Sequence, residues 1–295
     1  MYQQIARNKR KTIVLINLFV IIILALGWVF GAVSDIGYGA IIIAAIISLL
    51  MVMVSYFSGD KIALLSSGAR EIQKNDNPYL WNMVENLSIT AGTPMPKVYV
   101  IDDAAMNAFA TGRDPKHASI AVTTGIMTAL ENEELEGVLA HELSHIKNYD
   151  IRVMMVVIVL VGVIALLADM FLRYSIFGKR GDDRGNGQLG IILFAIGIVL
   201  AILSPLIAEL IKLAVSRKRE FLADASGALL TRYPEGLAGA LEKISHSRPM
   251  KRANTATAHL FITNPFGAGS RKFFAKLFST HPPTQDRIKA LRTMN

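Results

Sequence analysis

Four long apolar runs dominate the chain, at residues 13–33, 38–57, 153–172 and 189–210, and between them polar and apolar positions alternate as in folded soluble segments. Each run approaches the ~20 residues with which a helix crosses ~30 Å of hydrocarbon, so four hydrophobic helices in two hairpins are predicted. They divide the chain into an N-terminal hairpin (1–57), a first soluble part (58–150), a second hairpin (151–212) and a second soluble part (213–295). Arg7, Lys9, Arg10 and Lys11 precede the first run, as in a signal peptide. The run is too long for one, no clear small-residue cleavage site follows, and a second run begins almost at once, so it is read as a retained span.

Shorter patterns organise the soluble parts. Residues 78–91 read as a helix, with Pro78 in its first turn and Gly92 just past its end. The β-branched runs 97–101 and 119–123, joined by a loop with Gly112 and Pro115, read as two strands of a small sheet. Asn132 is a candidate cap, and Glu133, Glu134 and Glu136 fill the next turn, where the helix dipole favours anions. A helix from about Glu133 to Asn148 follows. The stretch 246–270, rich in Ser, Thr, Asn and Gly, reads as a mobile loop. The fold class is a mainly α membrane protein with a small α+β domain.

Composition agrees with a membrane class: 52% of the 295 residues are hydrophobic and 18% charged, with mean hydropathy +0.41. The net charge of +8 raises the question of nucleic acid, but the cations cluster at span ends without a nucleic-acid motif. No nucleic-acid partner is expected; the lipid bilayer, with anionic headgroups, is. If the N-terminus is cytoplasmic, every Lys and Arg except Arg173, Lys179, Arg180 and Arg184 falls on the inner side. The site described next is then cytoplasmic. Asp169 and Glu209 lie within the third and fourth runs, where an acid must face protein or an interface. Cysteine is absent, which excludes disulfides and thiolate ligands.

The chemistry is carried by His141-Glu142-Leu143-Ser144-His145. Four helical residues turn the chain by about 400°, so two imidazoles four apart stand within about 40° of each other and can reach one ion. Glu142 projects about 100° away, where its carboxylate can serve a water beside that ion as a base. Independent placement of the histidines and glutamates would yield about 0.005 such pentapeptides in this composition, so chance is a poor explanation.

A catalytic zinc site needs a third protein ligand. The pattern with another histidine six residues on is excluded, because Asn148 and Ile151 hold the relevant positions. A later carboxylate remains, from Asp150, Asp169, Glu209, Glu220, Asp224, Glu235 or Glu242. Asp150 is too near along the same helix and off its metal-facing side; Asp169 and Glu209 lie in apolar runs. Glu220 and Asp224, four apart, offer two carboxylates on one helical face. One would bind metal and the other would accept the free N–H of a ligand imidazole; spacing alone leaves open which does which.

Asn107-Ala108-Phe109, His141 to His145, the run Arg219-Glu220-Phe221-Leu222-Ala223-Asp224 and His281-Pro282-Pro283 together resemble the HtpX membrane-bound zinc endopeptidases, relatives of the CAAX prenyl proteases. The resemblance spans essentially the whole chain and departs at no catalytic position. It implies a zincin-like (gluzincin) catalytic domain with one Zn²⁺ per subunit, Glu220 as third ligand and Asp224 as a supporting residue. It further implies a multi-pass protein of a prokaryotic inner membrane that degrades damaged or misfolded membrane proteins in stress-related quality control.

On that reading Glu142 takes a proton from water acidified by zinc and returns it to the leaving amine. His281, in a stiff Pro-Pro context, is a candidate donor to the developing oxyanion, or else a capping histidine. Asn107 to Phe109, between the two strands, is a candidate substrate-binding segment that would pair with extended polypeptide through its main chain, or else a hairpin loop. The basic and aromatic segment 271–278 either docks on lipid or packs on the soluble core. The rival from another class is a multipass transporter or membrane scaffold with a non-catalytic metal site. An intramembrane protease is a nearer rival, but the His141 helix precedes the third run, which puts the site at the membrane edge.

Overall fold

The first two apolar runs fold as long antiparallel helices, α1 (Tyr2–Val33) and α2 (Gly39–Ser67), in the computed structural model, which describes residues 2–33, 37–157, 217–252, 257–266 and 282–294. Both are long and apolar enough to cross a membrane. They touch through small residues: a Cβ added at Gly27 would come 2.4 Å from the Ala44 Cβ, so glycine is what permits the close approach. Ile13, Val14, Ile21, Ile42 and Leu49 face outward, each more than half exposed. Most of the third run and all of the fourth, including Asp169 and Glu209, lie outside the described residues.

Helix α2 does not stop near Phe57, where the apolar run ends. It continues ten residues into the soluble part and ends where Gly68 adopts a left-handed φ of 72°, its N–H reaching the carbonyls of Leu64 and Leu65. Nothing before Gly68 opposes the helix, and Ala63 and Leu64 gain a buried apolar surface against Phe109 and Phe261.

A four-stranded sheet follows, in the order β1 (Ala69–Glu71), β2 (Lys97–Ile101), β4 (Ala118–Thr123), β3 (Ala108–Gly112). Strands β2 and β4 pair in parallel, while β1 and β3 run antiparallel to their neighbours. The expected pair of strands is present, but residues 108–112 form a strand between them in sequence rather than a loop. Three of its five residues are Ala or Gly, which masks the β signal. Gly112, at φ 135°, then turns the chain into a tight connection closed by the Asp114 carboxylate, which accepts from the N–H groups of Lys116 and His117.

Helix α3 (Pro78–Ala91) has the expected bounds, capped by the Asn77 side chain on the Leu80 N–H and by Gly92 at φ 64°. A short α4 (Thr124–Ala129) leads into α5 (Asn132–Lys147), the helix of the histidine pair. Its cap is Glu131 rather than Asn132: Glu131 and Glu134 exchange side-chain and backbone hydrogen bonds, and Asn132 instead accepts from the Tyr79 hydroxyl at 2.9 Å. After the chain returns, α6 (Arg217–Thr231), α7 (Pro234–Ser245) and α8 (Thr284–Arg292) complete the described helices. Leu135, Val138, Leu139 and Ile146 of α5 share one buried core with Val98, Ile120 and Val122 of the sheet and Leu237 and Leu241 of α7. The described part of 246–270 is tied down, contrary to the mobile loop expected there. Met250 N–H donates to the Pro265 carbonyl at 2.9 Å, and Ile262 N–H to the Ala108 carbonyl at 3.0 Å.

Candidate metal centre

Helix α5 presents both imidazoles to the helix that crosses it, α6. The Nε2 atoms of His141 and His145 stand 3.1 Å apart. Glu220, in the first turn of α6 and fully buried, places Oε2 3.9 Å from the His141 Nε2 and Oε1 3.6 Å from the His145 Nε2. A tetrahedral ion holding imidazole nitrogen and carboxylate oxygen at ~2.0–2.2 Å sets its ligand atoms about 3.3–3.5 Å apart. The observed separations of 3.1, 3.6 and 3.9 Å bracket that range, and two imidazole nitrogens with one carboxylate oxygen form a donor set suited to a divalent cation.

Each imidazole is backed by a carboxylate, and each carboxylate by an arginine. Asp224, one turn after Glu220, places Oδ1 2.9 Å from the His141 Nδ1. Arg287 of α8, itself buried, grips that carboxylate with Nε at 2.8 Å and Nη2 at 2.7 Å, and its Nη1 donates to the Ile262 carbonyl at 3.3 Å. Burial pushes the Asp224 carboxyl up, but the Arg287 guanidinium and the His141 hydrogen bond outweigh it and bring the pKa down to about 2. On the other side, Asp150 Oδ2 lies 3.1 Å from the His145 Nδ1, and Arg219 Nη1 donates to Asp150 Oδ1 at 2.9 Å. Burial pushes the His145 imidazole down, yet the Asp150 hydrogen bond and the charges of Glu220, Asp150 and Glu142 raise it to about 9. Such a group must lose its proton before it can bind metal.

Asp150, set aside in the sequence as a ligand, is thus a direct partner of His145. Its proximity along the chain misleads because α5 ends at Lys147 and Tyr149 turns through a φ of 60°, which carries Asp150 back toward His145. Arg219 and Arg287 leave only a faint signal. Arg287 shares the buried face of α8 with Ile288 and Leu291, and a cation on an apolar face implies an anionic partner. Glu142 is buried, and both His145 and Arg287 feel its charge. His281 lies outside the described residues, as does the segment 271–278.

Asn107, Ala108 and Phe109 contribute main chain rather than free side chains. Phe109 packs edge-on against Phe261 with ring centroids 5.0 Å apart, and the Asn107 amide donates to the Thr263 carbonyl at 3.2 Å. Thr123 N–H donates to the Asn107 carbonyl, which makes 107, 109 and 111 the positions bonded to β4 and turns the main chain of 108 and 110 to the outer edge of the sheet.

Residues 74–295 match the family described as Peptidase family M48. The chain belongs to that family. It is 50% identical over 295 residues to a protease HtpX homolog of Tropheryma whipplei, covering 100% of this chain and 98% of that one. A protease HtpX homolog of Dictyoglomus thermophilum is 47% identical over 294 residues, with 99% and 94% covered. The crystal structure of Ste24p from S. mikatae matches with TM-score 0.54 at 20% identity, over 99% of this chain and 67% of that one, a likeness of fold. This M48 member is accordingly a metallopeptidase, and its cluster of two histidines and a glutamate is suited to the metal.

Proposed function

We propose that this M48 metallopeptidase is a zinc-dependent endopeptidase anchored in a prokaryotic inner membrane, with its site on the cytoplasmic face and misfolded or damaged membrane proteins as substrates. The juxtaposition of His141, His145 and Glu220 from two separate helices carries this reading. His141, His145 and Glu220 would hold the ion. When bound, it supplies Lewis acidity toward a peptide carbonyl and acidifies water toward neutral pH. Glu142 acts as general base, taking a proton from water and delivering it to the departing amine nitrogen. Asp224 and Asp150 keep the two Nδ1 atoms protonated and the Nε2 atoms free to ligate. The outer edge of β3 is the place where an extended substrate adds its main chain.

Layout supports the membrane part of the reading. The apolar outer faces of α1 and α2 suit lipid, and α2 runs without a break into the sheet that flanks the site. In the proposed division, hairpins 1–57 and 151–212 hold the two halves of the catalytic domain, 58–150 and 213–295, at the bilayer surface. Metal analysis of the purified full chain, paired with cleavage of casein and of an unfolded membrane protein by wild type and Glu142→Gln, tests it. Bound zinc in both and cleavage by wild type alone is the expected result. Equal cleavage by the two removes Glu142 from the chemistry, and bound metal without cleavage favours a scaffold with a non-catalytic site.

A further inference from the structure

Helix α1 reaches the metal centre through Asn8. That side chain is 1% exposed, and its Nδ2 donates at 2.7 Å to the Asn148 carbonyl and at 2.7 Å to Oδ1 of Asp150. The two acceptors flank Tyr149, whose φ of 60° lies in the left-handed region that a bulky aromatic residue adopts only at a cost. That turn is what ends α5 and swings Asp150 round so that its Oδ2 meets His145 Nδ1 at 3.1 Å. A backbone held in a sparsely populated conformation persists where its surroundings fix it, and Asn8 fixes both sides. The next residue of α1, Lys9, lies 5.1 Å from the centre of the Tyr149 ring, so the turn is gripped at its tip as well.

The chemistry of the contact is selective. A carbonyl and a carboxylate offer only lone pairs, which an amide N–H₂ satisfies together and an aspartate at position 8 would repel. Asn8 and Arg219 share the same oxygen of Asp150, one arriving from the N-terminal helix and the other from α6, next to Glu220. The orientation of a ligand imidazole is set by what its other nitrogen bonds to, so whatever aims Asp150 aims His145.

We infer that Asn8 is a positioning residue of the metal centre: through Asp150 it sets His145, so that the first hydrophobic helix helps to fix the ligand geometry. The inference rests on the metal reading above and extends it to a residue more than a hundred positions away in sequence. Its test uses the full chain in detergent, with zinc affinity measured by chelator competition and the visible spectrum of the Co²⁺-loaded protein as a report on ligand geometry. Asn8→Ala should weaken zinc binding by about tenfold and shift the cobalt bands, in the range typical of residues that orient a ligand. Asn8→Asp should weaken it further. In an Asp150→Asn background, Asn8→Ala should add little, because the path to His145 is already altered. If Asn8→Ala does not fold, Asn8→Gln, which displaces the amide by one methylene, carries the same measurements. Unchanged affinity and spectrum in Asn8→Ala, with Asp150→Asn altering both, overturns the inference while leaving the metal site standing. Failure of the wild-type chain to take up either metal overturns the metal reading itself.

Discussion

Gly227 of α6 lies against the backbone of His141: a Cβ at that position would stand 3.0 Å from the His141 nitrogen and 3.2 Å from its Cα. Backbone cannot yield as the end of a flexible side chain can, so any larger residue must push the two helices apart. Glu220 and Asp224 ride on the same helix as Gly227, within two turns of it. Gly227→Ala should therefore cost about 1–3 kcal/mol of stability from overpacking. It should also lower metal affinity, because a shift of a few tenths of an ångström opens the separation between Glu220 and the imidazoles. Thermal unfolding and metal titration check it together, and full affinity in a destabilised variant would show that the helices separate without moving the ligands.

Among the described residues Arg287 is the cation that bonds both oxygens of Asp224, and its removal leaves that buried carboxylate with the His141 imidazole alone on one oxygen. Arg287→Met should destabilise the fold by about 3–5 kcal/mol, the usual result of leaving one member of a buried pair uncompensated. Arg287→Lys should recover only part, since a point charge cannot span both oxygens. The pH dependence has a definite sign. With the folded pKa of Asp224 at about 2 against an ordinary 3.8, its stabilising contribution is complete above the ordinary value and is lost as pH falls through the interval between the two. In Arg287→Met the acid transition should begin at higher pH, measured as the midpoint of acid unfolding.

Local chemistry made part of this legible in the sequence. The spacing of His141 and His145 sets their common face, and Pro78 and Gly92 mark the bounds of α3, because caps and helical periodicity act within a few residues. Glu220 and Asp224 stand out as a pair for the same reason. The rest depends on contacts between segments distant in sequence. Asp150 needs the left-handed turn at Tyr149, Arg287 needs α8 to fold beneath α6, and Asn8 needs the first hairpin to lie beside the end of α5. Strand β3 escapes detection because Ala108, Ala110 and Gly112 carry little β propensity; its place comes from pairing with β4.

Metal removal should be felt as a loss of stability as well as of activity. The three buried candidate ligands and their carboxylate partners come from α5 and α6 and from the turn after α5, so an ion joining them would link segments far apart in sequence. At a free zinc concentration a hundredfold above the dissociation constant, mass action stabilises the folded form by about 2.7 kcal/mol. Chelation should lower the unfolding temperature accordingly, and zinc should restore it. Glu220→Gln, which keeps the shape but weakens the donor, should show little response to either treatment. A chelator-insensitive wild type would refute the link between ion and fold.

The outer edge of β3 gives the substrate proposal its sharpest test at Ala110. In the register with Ile120 of β4, the Ala110 N–H and carbonyl turn away from the sheet, while Ala108, the other outward position, already has its carbonyl taken by the Ile262 N–H. Proline is tolerated on an edge strand where the missing N–H faces outward, so Ala110→Pro should leave the β3–β4 ladder intact. A substrate adding its main chain there would lose one hydrogen bond, worth about 0.5–1.5 kcal/mol, which predicts a fall in kcat/KM of roughly three- to tenfold, mainly through KM. Metal affinity should stay near the wild-type value, while the unfolding temperature should fall, because Ala110 is buried in the core and the added ring must be accommodated there. Steady-state kinetics on an unfolded substrate decide the matter: an unaltered kcat/KM in a folded, metal-loaded Ala110→Pro protein would place the substrate elsewhere.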